Sequence, residues 1–533
     1  MKKHKQARSA RSEIAPQGEP QRKPFDAARA RFENIVEGLN SKEASRMTHR
    51  QLEDRLHAEG MDLLRQLFQD HLDLRADREP LLDVVVGSDG KTRSHHRAET
   101  SRGLMTVFGP VRSRGRTYEG RQMTALRPAD AVLNLPREKY SHGLQKRLSV
   151  EVSKGSFDDA IERIDTTTGG HVPKRQAEDI ARRAAVDFET FYETREGHVP
   201  SDEASILVTT FDGKGVVIRH EDLREATRKK AEQAKRKLNR RLSPGEKEHR
   251  KRMACVAAVY GIAPHVRTPE ELLGEAKPAI VTRKPRRPKP EGKRVWASLR
   301  TPPEGVIAAA FSEAEARDPG HKLDWVTLVD GNENPILLAQ AFAQLSGHPV
   351  TIVVDFIHVS EYLWKAALAL NEGSTPQAEV WMQARLLRVL RGEASQVAAG
   401  MRRSATKRNL PPEKRKAVDT CANYLLKYKD FLRYNEYLAA GFPVATGLIE
   451  GACRHLVKDR MDVPGEWSLE GAEAVLRLRA LRCSGDFDDY WIYHENAELQ
   501  RNHVSRYVRD KVPSPWADRS RGNRRRGGLR VVK

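Results

Sequence analysis

Three carboxylates of this chain stand where the backbone is predicted to change direction. Asp212 follows the β-branched run 206–210, Asp330 follows the apolar run 325–329, and Glu450 stands where a helix is predicted to begin. Magnesium prefers oxygen ligands, and carboxylates supply them. Two such ions about 4 Å apart activate the attacking oxygen and stabilise the leaving oxygen in phosphodiester cleavage. If the three acids converge, they predict a two-metal site for phosphoryl chemistry.

Taken singly, each acid is a weak signal, because an aspartate before glycine is typical of a turn. Asp355 also follows a strong strand pattern and competes with Asp330 for the second position. Asp330 is preferred because one helix and one strand then separate it from the long helical segment that follows. His358 could support the metal-binding acids or contact DNA. The alternative is a histidine that caps or packs at the start of a helix.

Two cations follow Glu450 at helical spacing. Arg454 lies four residues after it and Lys458 eight residues after it, so on an α-helix all three share roughly one face. Such cations could orient the carboxylate or contact the scissile phosphate. A plain surface ion pair is the alternative.

Composition limits the classes of binding partner and of cellular compartment that fit this chain. The 533 residues carry a formal net charge of +21, which favours an anionic partner such as DNA, RNA or an anionic membrane. No apolar run reaches the roughly 18 residues of a membrane span, and no apolar segment follows the basic N-terminus. The four cysteines show no CxxC spacing, which fits a reducing compartment and not a zinc ribbon. We expect a cytoplasmic, nucleoid-associated protein.

The first half of the chain contains a candidate DNA-binding segment. Two short predicted helices are joined by a glycine turn, and Lys174, Arg175 and Gln176 open the second. In a helix-turn-helix the start of the second helix meets base edges. A structural helical linker is the alternative.

Further cationic tracts follow. Residues 224–252 contain 13 Arg and Lys against 4 Glu, a net of +9, and their candidate DNA contacts are Arg236, Lys237 and Arg240. Residues 501–533 contain 11 Arg and Lys against 2 Asp, again a net of +9. Phosphate neutralisation by such tracts gives salt-dependent, sequence-independent affinity.

From residue 203 the predicted elements follow a definite order. A strand leads to Asp212, Val216 to Ile218 return as its hairpin partner, and strand, helix, strand with Asp330, helix and strand follow before a helix bears Glu450. This order predicts an α/β fold with an RNase H-like catalytic core and a large helical insertion, preceded by a helical and β-rich DNA-binding region. The predicted segments are a disordered basic N-terminus (1–25), a helical then β-rich region (26–140), a helix-turn-helix-like segment (141–195), the first part of the core (203–358), the helical insertion (359–440), the core completion with the glutamate helix (441–490) and a basic disordered tail (501–533).

Four sequence blocks resemble one family of enzymes. The blocks are Thr210–Gly215, Leu328–Gly331, Val353–Val359 with Glu361–Trp364, and Gly447–Gly451 with Arg454, Lys458, Arg460 and Met461. They resemble bacterial insertion-sequence DDE transposases of the Kra type, which are related to the Mutator-like group. The resemblance covers roughly residues 80–485, and its most specific parts are the Asp-Phe-Ile-His-Val and Ile-Glu-Gly blocks.

The resemblance implies an activity and its partners. It implies cleavage of insertion-sequence ends and strand transfer into target DNA, with Asp212, Asp330 and Glu450 as the three acids. Two Mg²⁺ ions, with Mn²⁺ as a substitute, double-stranded DNA bearing terminal inverted repeats, and a homo-oligomer are further implications. The 120 residues between the second and third acids (450 − 330) are more than compact DDE enzymes have, which makes 359–440 an insertion. An RNase H-like nuclease without joining activity and a non-enzymatic DNA-binding regulator are the alternatives.

Overall fold

The structure, a computed structural model, describes residues 23–233, 246–247, 250–274, 287–371, 375–462 and 465–516. The chain divides into two compact units. The first comprises the described residues of 1–144, 164–171 and 498–533, and the second those of 145–163 and 172–497. No helix in the described ranges is long and apolar enough to cross a membrane.

The first unit combines long helices with an antiparallel strand pair. Its elements are α1 (Asp26–Leu39), α2 (His49–Asp77), β1 (Val85–Val86), β2 (Thr92–Arg93), β3 (His95–Thr106), β4 (Gly109–Glu119) and α3 (Pro128–Val132). A capping box starts α2, because the Thr48 side chain accepts from the Gln51 N–H and the Gln51 side chain accepts from that of Thr48. On β4, Arg114 is not a free basic side chain, since it bonds Asp73 at 2.9 Å and Asp77 at 3.1 Å on α2.

The C-terminal arm corrects one expectation. We predicted a disordered tail from residue 501, yet a helix continues to Asn502 and short 3-10 turns occupy 504–506 and 508–510. Tyr507 is only 2% exposed and joins an apolar cluster of the first unit. This buried tyrosine explains the order, because its apolar contacts offset the entropy of fixing the chain. Residues 517–533 of the predicted tail lie outside the described residues, as do residues 1–22 of the predicted N-terminal arm.

Four short helices follow between residues 142 and 194, where the sequence predicts helices. They are α4 (His142–Lys154), α5 (Phe157–Thr167), α6 (Lys174–Arg183) and α7 (Phe188–Thr194). In α6 the apolar residues Ala177, Ile180 and Ala181 are buried at helical spacing. The opposite face leaves Lys174, Arg175 and Glu178 exposed.

A five-stranded mixed sheet forms the centre of the second unit. Its strands are β5 (Ile206–Val217), β6 (Lys251–Ile262), β7 (Glu291–Ser298), β8 (Asp324–Val329) and β9 (Val350–Val354). Their order is β7-β6-β5-β8-β9, with β5, β6 and β7 antiparallel and β5, β8 and β9 parallel. The helices α8 (Glu225–Gln233), α9 (Pro269–Leu273), α10 (Pro303–Arg317) and α11 (Glu333–Ser346) lie between strands in the sequence. The parallel strands are apolar on both faces, as strands joined by crossover helices must be.

One predicted hairpin is wrong. Val216 and Val217 continue β5 and pair with Arg252 and Lys251, so the antiparallel partner of β5 is β6 and not residues 216–218. The glycines at 213 and 215 suggested a turn, but they lie within the strand. Sheet pairing on the β6 side overrides the local turn preference of Asp-Gly.

The remaining elements are helical. The predicted insertion contains α12 (Phe356–Leu370), α13 (Thr375–Leu390), α14 (Ala394–Lys407), α15 (Pro412–Lys427) and α16 (Tyr434–Ala439). After it come α17 (Gly447–Ala452), a π-helix (Cys453–Lys458), α18 (Asp459–Met461), α19 (Leu469–Ser484) and α20 (Phe487–Asn502). The Glu473 carboxylate of α19 accepts from the Ser298 hydroxyl at 2.7 Å and the Leu299 N–H at 2.8 Å, which fixes α19 against the end of β7.

Candidate active site

Asp212 lies within β5, at the point where its parallel neighbour stops. The last paired residues of β5 and β8 are Thr210 and Leu328, so Asp212 lies two residues past the paired part on that side. On the other side it remains paired with Val256 of β6. The Gly213 N–H donates to Asp212 Oδ1 at 2.6 Å. The carboxylate is therefore held by a rigid strand yet lies at the open end of the parallel part of the sheet, where ligands bind in open α/β sheets.

Asp330 directly follows β8 and starts a tight turn. The Asn332 N–H donates to its Oδ1 at 2.9 Å, and Gly331 has a φ of +90°, a conformation that favours glycine. Asp212 and Asp330 line the same cleft, of about 310 Å³, together with Arg224 and Cys255. The structure thus brings the first two predicted acids to one place.

Two tyrosines of the helical segment hold the Asp330 turn. The Tyr424 hydroxyl donates to the Asp330 carbonyl at 3.2 Å, and the Tyr428 hydroxyl donates to the Gly331 carbonyl at 2.5 Å. Burial raises the pKa of Tyr424, so its hydroxyl stays protonated as a donor. Sequence reasoning missed both residues, although their spacing of four puts them on one face of α15.

Asp355 has a different environment from Asp330. It is 1% exposed, and its Oδ1 accepts from the Ile357 N–H at 3.0 Å as the N-cap of α12. Thr446 donates to both carboxylate oxygens, from its N–H at 3.2 Å and from its hydroxyl at 2.7 Å. These bonds make Asp355 a link between the end of β9 and the residue before α17.

Glu450, in α17, is exposed. Burial of part of the group raises its pKa, and the negative charges of Asp355, Asp212 and Glu361 raise it further. Helix α17 packs against β5 and β6, and repulsion among these carboxylates is the kind that a bound cation relieves.

The segment after Glu450 connects its helix to β5. Cys453 is buried, and its thiol hydrogen bonds to the Asp212 carboxylate. Burial and then the charge of Asp212 raise the pKa of this thiol, so the proton stays on sulfur. The π-helix that begins at Cys453 belongs to a class often found at functional sites.

The carboxylate oxygens of the three predicted acids suit a hard divalent cation, but the three acids do not form a complete coordination site. Across the described ranges, no group of three or more His, Cys, Asp or Glu side chains has an arrangement that could hold a metal ion. Asp212 and Asp330 share the cleft, whereas Glu450 does not line it. Carboxylate oxygens are the donors that Mg²⁺ and Mn²⁺ prefer, and the structure brings two of the three predicted acids to one cleft.

The predicted cations after Glu450 do not follow α-helical geometry. Residues 453–458 form a π-helix, whose i→i+5 bonds change the spacing of side chains. The Arg454 guanidinium is 72% exposed and lies 3.9 Å from Asp459, and Lys458 is exposed. Glu450, Arg454 and Lys458 are all exposed, and a shared face for the three stays a prediction. His358 is half-buried on α12, with its ring centroid 6.1 Å from that of Tyr362.

The predicted DNA-contact residues have mixed outcomes. Lys174 forms an ion pair with Asp158 at 2.7 Å, Arg175 is exposed and Gln176 is half-buried at the start of α6. Their contact with DNA stays a prediction. The other three predicted contacts lie outside the described residues, namely Arg236, Lys237 and Arg240.

Comparison with known proteins gives a distant structural neighbour. No protein-family model matches the chain, and no curated protein matches it. Among solved structures, the chain is similar to the Drosophila P element transposase strand transfer complex, with 11% sequence identity and a TM-score of 0.22. The match covers 70% of this chain and 83% of that one.

Proposed function

We propose that this protein is a DDE-type DNA transposase that cuts the ends of an insertion sequence and joins them to target DNA. One observation carries the proposal: Asp212 and Asp330 line one cleft at the open end of the parallel strands. The strand order β7-β6-β5-β8-β9 supports an RNase H-like core, since the first and fourth strands carry these acids and a later helix carries Glu450.

The environments of the two competing aspartates support Asp330 as the second acid. The side chain of Asp330 is part of the cleft wall and is partly exposed. Asp355 is buried and accepts three hydrogen bonds, from Ile357 and twice from Thr446. We assign Asp355 the role of positioning α17 and thereby Glu450.

The proposed metal ligands are Asp212, Asp330 and Glu450, for two Mg²⁺ ions or for Mn²⁺. When bound, such ions activate the attacking oxygen and stabilise the leaving oxygen of a phosphodiester. The chain's own contribution is the fixed position of each acid: strand pairing for Asp212, the tyrosine-held turn for Asp330, and the Asp355–Thr446 link for Glu450.

The partner would be double-stranded DNA. The formal net charge of +21 supports an anionic polymer as the partner. If the protein makes roughly six to ten phosphate contacts, raising the salt concentration from low to moderate should weaken DNA binding about 10³–10⁵-fold. Pairing of two element ends would require a homo-oligomer. Arg224 lines the cleft beside the acids and is a candidate contact for the scissile phosphate.

A strand-transfer assay tests the proposal. The substrate is labelled DNA with the terminal inverted repeats that flank the coding sequence, supplied with target DNA and Mg²⁺. Wild-type protein should join the labelled 3′-ends, and the Asp212→Ala protein should not. Magnesium-dependent cutting of branched DNA without joining would indicate an RNase H-like nuclease. Specific binding without any cutting, unchanged by loss of all three acids, would indicate a DNA-binding regulator.

A further inference from the structure

The first unit contains a cavity whose charge the proposed chemistry does not use. Its volume is about 460 Å³. The charged residues that line it are five arginines and one aspartate, namely Arg102, Arg127, Arg137, Arg501, Arg506 and Asp130. Leu135 and Tyr507 provide apolar wall. A concave site with a few convergent polar groups and an apolar wall is the usual form of a ligand pocket.

The positive charge of this cavity exceeds its negative charge. Asp130 lies 3.3 Å from Arg127 and 3.8 Å from Arg102, and its charge also acts on Arg506. Arg501 is paired separately with Glu498 at 2.7 Å. Outside the lining, Glu138 acts on Arg102 and Glu79 acts on Arg127, so three carboxylates offset Arg102, Arg127 and Arg506. The exposed Arg137 leaves the cavity with net positive charge. The excess positive charge favours binding of an anion in this cavity.

Backbone carbonyls hold the guanidinium groups in place. Arg127 Nη2 donates to the Thr100 carbonyl at 3.2 Å, and Arg506 Nη2 donates to the Ala125 carbonyl at 2.6 Å. Arg102 Nη2 donates to the Glu138 carbonyl at 3.1 Å. Bonds to neutral carbonyls fix these groups without cancelling their charge. An incoming anion would then pay little for ordering side chains.

One donor of the cluster lacks a partner. Arg127 Nε is buried and has no hydrogen-bond partner within the described residues. A buried donor without a partner is costly, and native proteins retain few of them. The neighbouring His503 donates from Nε2 to the Leu135 carbonyl, 2.8 Å away, and burial lowers its pKa, so at neutral pH it adds no charge of its own.

We propose that this cavity binds a phosphate group, with Arg127, Arg506 and Arg102 as its ligands. Guanidinium groups suit phosphate because their fixed N–H donors match its oxygens. Two sources share this chemistry: the phosphate of a nucleic acid strand and a free phosphate or nucleotide. The site involves none of the three proposed catalytic acids, so its failure would be separate from failure of the proposed function.

Binding to the full chain, with EDTA present, tests the proposal. The probes are inorganic phosphate, deoxyadenosine monophosphate, and a single-stranded ten-nucleotide DNA with and without a 5′-phosphate. Titration calorimetry should show binding of at least one phosphate probe to wild type and about a tenfold loss in Arg506→Gln, since a charge-assisted hydrogen bond is removed. Arg50→Gln is the matched control, because that side chain is 89% exposed on α2 and its loss changes net charge equally.

A second variant should change phosphate affinity in the opposite direction. Asp130→Asn removes the one carboxylate of the cavity and should tighten phosphate binding several-fold. Thermal unfolding of each variant verifies folding, and Arg137→Gln, at an exposed position, serves if Arg506→Gln does not fold. Binding of free phosphate or the nucleotide would identify a small-molecule source, and binding only of the DNA probes would identify the strand. Equal affinity of wild type, Arg506→Gln and Arg137→Gln for every probe, or no binding at all, would overturn the proposal.

Discussion

Thr446 donates two hydrogen bonds to Asp355, one from its backbone N–H at 3.2 Å and one from its hydroxyl at 2.7 Å. Both residues are buried, with Asp355 at the end of β9 and Thr446 immediately before the helix that carries Glu450. A 91-residue separation in sequence is thus closed by one polar pair. This pair connects the end of β9 to the helix of Glu450. The position of Glu450 relative to the sheet therefore does not depend only on the long helical segment between residues 355 and 446.

Asp355→Asn should lower the free energy of unfolding by about 1–3 kcal/mol, because a buried charge-assisted bond is weakened. Thr446→Val should cost a similar amount, and the double variant should cost less than the sum, since both remove one interaction. Urea unfolding of the four proteins measures this coupling. Additive effects of the two substitutions would show that the pair does not act as a unit.

Metal binding should distinguish the role of Asp355 from that of Asp330. If Asp330 is a ligand and Asp355 a positioning residue, Mg²⁺ should raise the thermal midpoint of wild type and Asp355→Asn but not of Asp330→Asn. Differential scanning fluorimetry with and without Mg²⁺ checks this. Loss of the metal-dependent shift in Asp355→Asn alone would assign the second acid to Asp355 instead.

The raised pKa of Glu450 gives a pH dependence with a definite sign. The folded protein holds this proton at higher pH than the unfolded chain, whose pKa is near 4.5. Its contribution to stability is therefore complete below pH 4.5 and is lost as pH rises through the folded value. Without metal, Glu450→Gln should gain stability relative to wild type between pH 4 and pH 7. Chemical denaturation across this range measures it, and a constant difference would refute the repulsion among the acids.

The Gly331 turn allows a test with an internal control. Gly331→Ala should be strongly destabilising, since its φ is +90° and a Cβ would lie 2.6 Å from the Tyr424 hydroxyl. Gly347→Ala is the control, because its φ is +69° but nothing lies within 4 Å of the added atom. The control should cost about 1 kcal/mol for its backbone conformation alone. Equal unfolding free energies for the two variants would show that the tyrosine does not confine the turn.

The strands and most helices follow from periodicity, because buried parallel strands and amphipathic helices leave clear patterns. The hairpin at Val216 is wrong because Asp-Gly and Lys-Gly have turn preference locally, whereas pairing with β6 keeps the strand extended. Sequence spacing does not reveal the π-helix at 453–458, which contains Arg454 and Lys458. Local sequence places both Asp330 and Asp355 after strands, and only the distant Thr446 distinguishes them.

The tyrosine contacts were also beyond sequence reasoning. Tyr424 and Tyr428 bond carbonyls 94 and 97 residues away in the chain, at the Asp330 turn. Tyr434 extends the pattern by donating to the Val354 carbonyl at 2.6 Å. Aromatic residues on a helix are ordinarily interpreted as core residues, and their hydroxyl partners are not encoded locally.

The central claim is that Asp212, Asp330 and Glu450 act together in magnesium-dependent DNA strand transfer. The most direct measurement is the rate of joining labelled 3′-ends for wild type, Asp330→Asn and the control Asp324→Asn, an exposed acid at the opposite end of the same strand. The control should keep full activity, and Asp330→Asn should lose about 10²–10³-fold or more. Joining by folded Asp330→Asn at the wild-type rate would contradict it.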